Sequence, residues 1–487
     1  MAAAAPPRPR TAAVALGAAA TAHRLATQAA LEILAAGGNA VDAAAAAAWA
    51  LSVCEPSGSG LGGQTTVLVH LSGNRTFIVD GHSHAPAAVN RETVERREQH
   101  TGHKATTVPS SPATLDSLQR RFGLLAPSKV FEPAIRLAED GFPISRLQCR
   151  QTRWVATLLK AHEPTASCFL PGGAVPKAGQ VFRQPLLART LRRLASAGVA
   201  DFYRGELAHS IDSDMRRHGG LLTAGDLAAF DFPIDRSPAV FEFGRYTFIT
   251  NPHPGGGPQL LAALHRYFDL AGSRNESWEM RIALSVLHAF RRRERLAIVE
   301  EPGETTHLCT ADVAGNIVSL TQSIQSLFGA KVAHAELGFL YNNYLTTCPR
   351  RNHANALGSG CRPRSNVSPT LVLRDGRPFL AIGAAGSRRI VSSVLQVITR
   401  MIDQRLPLAD AVSAARLHPL LNGKLWAESP AEAHCLPPDL RSRFPLIVHK
   451  RPHDYDMGCV QALVFQPDGE FHGVADPRRD GSAGVLP

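Results

Sequence analysis

Two stretches near the amino terminus carry apolar residues at helical spacing. Residues 24–36, RLATQAALEILAA, repeat apolar side chains along one helical face and stop at a Gly-Gly pair, a typical helix end. Asn39 then precedes a second apolar run at 40–54, and Asp42 stands where the acid of a capping box would stand. The pattern therefore predicts two consecutive helices, the second with a cap at its start.

Apolar and polar residues alternate in later segments, which predicts strands. The segments 65–71 and 76–80 flank a short Ser-Gly-Asn turn and predict a hairpin. The stretch 113–141 is predicted to form a helix, a turn and a second helix. Further helices are predicted at 185–216, 276–297 and 390–404, and further strands at 306–312, 316–324, 369–376, 378–386, 458–469 and 471–476. The last third of the chain is therefore rich in strands, and we find no internal repeat.

One predicted hairpin brings two hydroxyl groups together. Its turn centres on Ala314, and Gly315 supplies backbone freedom there. In this register Thr305 lies opposite Ser323 at the open end of the hairpin. Gln325 is expected one pleat further along the same face.

A threonine hydroxyl is a poor nucleophile at neutral pH and needs a nearby base. One known base is the threonine's own α-amine, whose pKa of about 7.7–8.0 leaves part of it neutral at physiological pH. Thr305 is internal, so its amine becomes available only if the bond after Glu304 is cut. The Thr305 hydroxyl could do this by attacking the Glu304 carbonyl. The alternative is that Thr-Thr-His is simply the threonine-rich start of a strand.

The composition is that of a globular protein with a large core. The chain has 487 residues, of which 44% are hydrophobic, and no apolar run reaches the roughly 18 residues of a membrane helix. Residues 1–23 imitate a secretion signal, but helical patterning begins by Arg24. The eight cysteines are scattered and form no CxxC pairs. We therefore expect a cytoplasmic protein that does not associate with a membrane.

The formal charge of +11 does not by itself indicate a nucleic-acid partner. Arginines are spread along the chain, and the densest cluster, 291–295, continues a predicted helix as a solvated face. The 20 histidines include the pairs His82/His84 and His100/His103, but these lie in predicted loops without ligand spacing. We expect no nucleic acid, no metal and no organic cofactor.

Several separate stretches occur in one order that covers nearly the whole chain. They are LATQAALEILAAGGNAVDAAAAAAWALSVCEPSGSGLGG, PAIRLAEDGF, FYRGELA, GGLLTAGDLAAF, TTHLCTADVAGNIVSLTQS, FGA, GFLYNN, RPRSNVSPTLVLRDG, GAAGSRRI and MGCVQALVFQPDGEFHGVADPRRDGSAG. Together they resemble the γ-glutamyltranspeptidase family. The Thr-Thr-His triplet alone would be a weak signal.

The resemblance implies an N-terminal-nucleophile (Ntn) hydrolase with an α+β fold, a four-layer αββα sandwich. Such a protein is made as one precursor and cut before its catalytic threonine. Thr305 falls on that nucleophile, so cleavage is expected between Glu304 and Thr305. The products would be a large subunit, 1–304, and a small subunit, 305–487, which stay together as one compact domain and act on a small amide.

The resemblance also implies the other catalytic positions. Ser323 falls on the hydroxyl residue that contacts the nucleophile, and Gln325 replaces an asparagine nearby. Gly386 and Ser387 fall on the two backbone N–H donors of an oxyanion hole, with Ser387 in place of a second glycine. Taken without the family, the segment is an ordinary tight turn between a strand and a helix.

The expected glutamate pocket departs from the family pattern. His82 stands where an arginine grips the substrate's α-carboxylate, and Tyr344 and Thr347 replace the glutamine and aspartate that hold its amine. Ser365 is kept, and its neighbour is Asn366. The chemistry is therefore expected to be retained, while recognition of an ordinary γ-glutamyl group is lost.

Two further features concern the surroundings of the site. Only the residues 297–304 separate the preceding helix from the nucleophile, a shorter spacer than is usual in the family. The arginines at 350, 351, 362 and 364 bracket the loop that overhangs the site in the family, where they could attract an anionic substrate. They could equally form a solvated basic loop.

Three functional hypotheses follow. The first is an autoprocessed amide hydrolase or acyltransferase with an acyl group other than ordinary γ-glutamyl, such as an oxamate-like or glutaryl-like one. The second is a true glutathione hydrolase or transpeptidase that binds its donor through unfamiliar residues. The third is an uncleaved, non-catalytic binding subunit.

Overall fold

The computed structural model describes residues 16–231, 233–271, 276–293, 303–350, 355–428, 436–466 and 469–486. The helices are α1 Arg24–Ala35, α2 Ala40–Cys54, α3 Ser111–Phe122, α4 Pro127–Asp140, α5 Arg146–Lys160, α6 Glu163–Phe169, α7 Pro185–Ala197, α8 Ala200–Arg204, α9 Glu206–Arg217, α10 Ala224–Ala228, α11 Gly257–Ala271, α12 Trp278–Arg293, α13 Arg389–Ile402, α14 Leu408–Ser413 and α15 Pro438–Arg443. The strands are β1 Gly17–Thr21, β2 Gln64–Leu71, β3 Arg75–Gly81, β4 Phe142–Pro143, β5 Val181–Phe182, β6 Ile234–Arg236, β7 Ala239–Phe243, β8 Tyr246–Thr250, β9 Gly303–Asp312, β10 Ile317–Ser326, β11 Thr370–Arg374, β12 Arg377–Ala385, β13 Leu417–Pro419, β14 Lys424–Glu428, β15 Leu446–Lys450, β16 Cys459–Phe465, β17 Phe471–Ala475 and β18 Ser482–Leu486.

Two sheets form the centre of the molecule. One has seven strands in the order β18-β1-β9-β10-β2-β3-β6, and the other has six in the order β17-β16-β12-β11-β8-β7. Buried apolar side chains from both sheets, among them Leu68 and Leu371, pack together between them. Helices α1 to α4 share a core with the outer face of the first sheet, and α11 to α13 share one with the second. The predicted four-layer αββα sandwich is confirmed.

Helix α2 lies against the seven-stranded sheet and is buried along its whole length. Its run of alanines has small side chains, so that the helix can approach the sheet closely. Asn39 caps the helix and forms the predicted capping box with Asp42. The Asp42 carboxylate also accepts hydrogen bonds from the Leu124 backbone N–H at 2.7 Å and from Gln119 Nε2 at 3.2 Å. The cap thus joins α2 to the end of α3.

The hairpin of β9 and β10 follows the predicted register for most of its length. Gly315 has a φ of +87° in the turn, and pairing continues from Ile317 opposite Ala311 to Gln322 opposite Thr306. The register then shifts. Gln325, with a φ of +82°, pairs with Glu304 across a bulge, so the expected even pleat is wrong at the open end.

Other sequence predictions differ from the structure in detail. The predicted helical stretch 185–216 is divided into α7, α8 and α9, and the first break is at Gly198, whose φ is +85°. The stretch 276–297 is helical as α12 up to Arg293, and 294–297 lie outside the described residues. The end of the signal-like segment is strand β1, paired with β18 and β9; residues 1–15 lie outside the described part. Within the described residues, no helix combines the length and apolarity of a membrane span.

Replacing Asp42 by alanine should lower stability, because its buried hydrogen-bond donors would lose their acceptor. Each buried unpartnered donor costs about 1–3 kcal/mol, so the apparent melting temperature should fall by several degrees. Thermal denaturation followed by circular dichroism measures this. Asp140→Ala, at an exposed position at the end of α4, is the control. Equal melting temperatures for the two variants would contradict the assigned role of the cap.

Candidate active site

Thr305 and Ser323 meet at the open end of the β9–β10 hairpin, as predicted. Thr305 is 5% exposed, and its hydroxyl donates to Ser323 Oγ at 3.4 Å. Ser323 Oγ in turn donates to the backbone carbonyl of Glu304 at 2.6 Å and accepts from the N–H of Gln325 at 2.9 Å. Because of the bulge, one serine hydroxyl contacts both the threonine hydroxyl and the carbonyl of the preceding residue.

The side chain of Glu304 is buried in a cluster of polar groups. Arg479 Nη2 donates to Glu304 Oε1 at 2.5 Å, and its Nη1 donates to the Thr305 carbonyl at 3.2 Å. The Tyr455 hydroxyl donates to Glu304 Oε1 at 2.5 Å. The guanidinium of Arg479 lies 4.6 Å from the centre of the Tyr455 ring. Both sides of the Glu304–Thr305 peptide bond are therefore held by the same arginine.

This cluster was missed by the sequence analysis. Glu55, which also lies beside Arg479, directly follows α2. Tyr455 lies in a short turn before β16 and Arg479 lies between β17 and β18, so these residues are far apart in the chain. The one available signal was the double arginine in the stretch DPRRDGSAG.

The turn that contains Gly386 and Ser387 lies directly against the start of β9. A Cβ on Gly303 would lie 2.9 Å from Ser387 Cβ, so the turn packs against the residue two positions before Thr305. Gly386 has a φ of +121°, and a Cβ there would lie 2.9 Å from the Cα of Gly458. Ser387 has a φ of +56°, in the left-handed region that glycine adopts more readily. The fold thus brings the predicted oxyanion donors next to the Thr305 segment.

Tyr344 forms part of the wall beside Ser323. Its hydroxyl interacts with Ser323, Gln64 and Ser365, and burial raises the pKa of Tyr344 to about 12 despite these hydrogen bonds. Thr347 does not reach this group, because its hydroxyl donates to the Tyr344 carbonyl at 3.0 Å.

The position of Asn366 is fixed by close packing of its backbone against Gly256. A Cβ on Gly256 would lie 2.3 Å from the Asn366 carbonyl oxygen, so only glycine allows this approach. Ser365 precedes it, and its hydroxyl accepts from the N–H of Val367 at 3.1 Å. The segment 365–367 is therefore held by glycine packing and a local turn.

His82 is held by a buried carboxylate. Its Nδ1 lies 2.6 Å from Asp80 Oδ1, while Arg236 and Arg362 donate to Asp80 Oδ2 at 3.0 and 3.2 Å. Burial disfavours ionisation of Asp80, but the attraction of His82 and of the arginines holds the pKa of that carboxyl well below its usual range. His82 Nε2 is buried and has no hydrogen-bond partner among the described residues. The ring therefore keeps one nitrogen available at this position.

A family model described as gamma-glutamyltranspeptidase matches residues 26–298 and 278–486 of the chain. The chain belongs to the γ-glutamyltranspeptidase family. Its four-layer sandwich is the fold of the family's Ntn hydrolases.

Relatives within the γ-glutamyltranspeptidase family include both hydrolases and acylases. The chain is 30% identical to the acylase ACY 1 proenzyme of Pseudomonas sp. (strain SE83), over 95% of this chain and 92% of the relative. It is 29% identical to the glutathione hydrolase proenzyme of Escherichia coli (strain K12), over 93% and 89%. The structure matches that of a cephalosporin acylase from Bacillus halodurans with a TM-score of 0.87 and 28% identity, over 99% and 98%. These relatives act on amides, and the family alone leaves the acyl group open.

Two of the arginines that could attract a substrate anion form hydrogen bonds or ion pairs within the protein. Arg350 donates to the carbonyls of Val94 at 2.5 Å and Arg91 at 2.7 Å, and Arg362 binds Asp80. Arg350 and Arg362 are therefore neither simply solvated nor free to bind a substrate anion. Arg351 lies outside the described residues, as do most residues of the short spacer 297–304.

Two cysteines of the same loop lie together, which their spacing did not indicate. Cys348 Sγ and Cys361 Sγ are 3.2 Å apart, and both are thiols in the structure.

Cys435 lies outside the described residues. The cytoplasmic location stays a prediction.

Glu55 gives the cluster around Glu304 a pH-dependent contribution to stability. Its Oε1 lies 3.7 Å from Arg479 Nη1, and burial raises the pKa of Glu55 from its ordinary value of 4.5 to about 8. The folded protein therefore binds this proton more tightly than the unfolded chain does. The resulting stabilisation is complete below about pH 4.5 and is lost as the pH rises through about 8.

Glu55→Gln should flatten the dependence of stability on pH. Between about pH 5 and pH 8.5 the apparent melting temperature of the wild type should fall more than that of the variant, because only the wild type must ionise a buried carboxyl. Differential scanning calorimetry across this range is the measurement, with Glu132→Gln at an exposed position as the control. Parallel curves for wild type and Glu55→Gln would show that Glu55 does not titrate in this range.

Proposed function

We propose that the chain is an autoprocessing amide hydrolase or acyltransferase with Thr305 as its nucleophile. The observation that carries the proposal is the position of Ser323, whose hydroxyl lies 3.4 Å from Thr305 Oγ1 and 2.6 Å from the Glu304 carbonyl oxygen. A hydrogen bond to a carbonyl oxygen polarises it towards attack and stabilises the negative charge that develops there. The same contact therefore supports both the nucleophile and the bond to be cut.

The first step is an acyl shift within the chain. Thr305 Oγ1 attacks the Glu304 carbonyl carbon, the C–N bond breaks, and the proton of the hydroxyl passes to the nitrogen of Thr305. The resulting ester is hydrolysed by water, which leaves a carboxylate on Glu304 and a free α-amine on Thr305. Arg479 holds both residues during this step, through the Glu304 carboxylate and the Thr305 carbonyl.

The second step uses the freed amine on an external amide. The α-amine takes the proton of the Thr305 hydroxyl as oxygen attacks the substrate carbonyl, and then gives it to the leaving amine. Gly386 and Ser387 offer backbone N–H groups to the oxyanion. The acyl group on Thr305 passes to water or to an acceptor amine, and this cycle needs no cofactor.

The acyl group that we propose is not an ordinary γ-glutamyl group. A free α-carboxylate and α-amine are charged and need charged or strongly polar partners when they are buried. His82 lies at the predicted position for carboxylate binding, but it is paired with Asp80. Tyr344 and Thr347 lie at the predicted positions for amine binding; Tyr344 is buried, and the Thr347 hydroxyl donates to the Tyr344 carbonyl. The similarity to acylase ACY 1 supports this choice, while the similarity to the E. coli glutathione hydrolase supports the alternative.

Cleavage should depend on the Thr305 hydroxyl. On a denaturing gel the wild type should give two fragments, 1–304 and 305–487, while Thr305→Ala should remain a single 52.1 kDa chain. Ser323→Ala should slow cleavage at least about tenfold, because the polarising donor is lost, and Ser319→Ala on the same strand serves as the control. Mass spectrometry of the small fragment should find Thr305 at its start. A folded wild-type protein that stays whole would favour the non-catalytic subunit.

The substrate class should be visible in a panel of anilides. The processed wild type should release the chromophore faster from glutaryl or oxamate anilides than from γ-glutamyl anilide, because Tyr344 and Thr347, at the predicted positions for amine binding, offer the γ-glutamyl α-amine no carboxylate. Initial rates at equal substrate concentrations provide the comparison, and Thr305→Ala gives the background. A preference for the γ-glutamyl compound of about tenfold or more would instead identify a glutathione hydrolase or transpeptidase.

A further inference from the structure

Three histidines from separate parts of the chain meet outside the candidate active site. His103 begins a short turn before α3, His162 directly precedes α6, and His218 directly follows α9. One ring nitrogen from each lies within 4.8 Å of those from the other two. The rings of His103 and His218 are stacked at 4.5 Å, and His162 stands edge-on to both at 5.3 Å.

One of these rings has a nitrogen without a partner, and a second has a nitrogen that faces a carboxylate without a well-formed hydrogen bond. His162 Nδ1 is paired with the Thr165 hydroxyl at 2.7 Å, but its Nε2 is buried and has no hydrogen-bond partner among the described residues. His103 is 6% exposed, and its Nε2 lies 3.4 Å from Asp214 Oδ2 without the geometry of a hydrogen bond. Buried polar atoms without a partner are rare, so each needs an explanation.

A metal binds a neutral imidazole through the lone pair of one ring nitrogen. His218 is partly exposed, which leaves a path from solvent to the cluster.

Asp214 supplies a carboxylate beside the three rings. It is 3% exposed, and its Oδ1 lies 3.4 Å from His218 Nδ1. Its Oδ2 accepts a hydrogen bond from the Tyr341 hydroxyl at 2.9 Å. A carboxylate next to ligating imidazoles orients the rings and increases their basicity, and it can also serve as a ligand itself.

We propose that His103, His162 and His218 form a zinc site, with Asp214 as a supporting carboxylate or fourth ligand. Three imidazoles and an oxygen are a typical ligand set for this ion, with bonds of about 2.0–2.1 Å to nitrogen. The stacked rings of His103 and His218 must tilt towards each other to reach these distances. The ion would join three segments of the proposed large subunit. Because Asp214 accepts a hydrogen bond from Tyr341, it would also connect them to the proposed small subunit. This role would be structural and not catalytic.

The test is zinc binding by the full chain after removal of metals with a chelator. Calorimetric titration with Zn²⁺ should give one site per chain, and Co²⁺ should give the strong visible absorption of a tetrahedral complex. His162→Ala and His218→Ala should each weaken zinc binding at least about tenfold and abolish the Co²⁺ bands. His209→Ala, an exposed histidine on α9, is the matched control and should bind as the wild type does.

Several outcomes would overturn the proposal. They are the absence of zinc binding by the stripped wild type, equal binding by wild type and His162→Ala, and binding of several ions with similar affinity at scattered histidines. Circular dichroism of each variant separates loss of a ligand from loss of the fold. Cleavage at Thr305 and anilide hydrolysis are scored separately, so that failure of either proposal leaves the other measurable.

Discussion

The candidate site depends on one constraint, the bulge that ends the β9–β10 hairpin. Without it, strand pairing would place Ser323 opposite Thr305 and direct its hydroxyl to that residue alone. With it, the strand turns at Gln325, whose N–H donates to Ser323 Oγ and fixes the orientation of that hydroxyl. The serine can then contact the carbonyl of Glu304 as well as the threonine. A β-bulge commonly redirects one side chain, and here it brings the Thr305 hydroxyl, the Ser323 hydroxyl and the Glu304 carbonyl together.

The charges around the Glu304–Thr305 peptide bond bear on which new chain end leaves the site after cleavage. Before cleavage Arg479 faces Glu304 closely and Glu55 more distantly, and burial keeps the proton on Glu55 up to about pH 8. Cleavage as we propose it would add a carboxylate on one side and an amine on the other. The new carboxylate would stand on the residue whose side-chain carboxylate is already paired with Arg479, so two negative charges would share one guanidinium. Repulsion between these two carboxylates would favour departure of the new chain end.

Much of the local structure could be predicted from the sequence, because its determinants are local. The capping box of α2, the turn at Gly315 and the register of the hairpin follow from residues a few positions apart. The bulge could not be predicted, because one residue's change of φ depends on what packs around it. Nor could the partners of Glu304, since Tyr455 and Arg479 lie 151 and 175 residues away along the chain. The His103 cluster escaped for the same reason: its members share no helix and no spacing, so no periodicity marks them.

The departures from the family pattern divide the site into two parts with different constraints. The proposed reacting groups are held by backbone geometry, through strand pairing and a turn whose φ values suit glycine, so they tolerate few changes. The proposed acyl pocket is held by side chains, and here His82 makes a buried contact with Asp80. That contact fixes the ring and leaves Nε2 directed away from the carboxylate. A histidine held in this way can donate or accept one hydrogen bond, where an arginine offers two parallel donors. This difference is the reason for proposing an acyl group that is smaller or less charged than an amino acid.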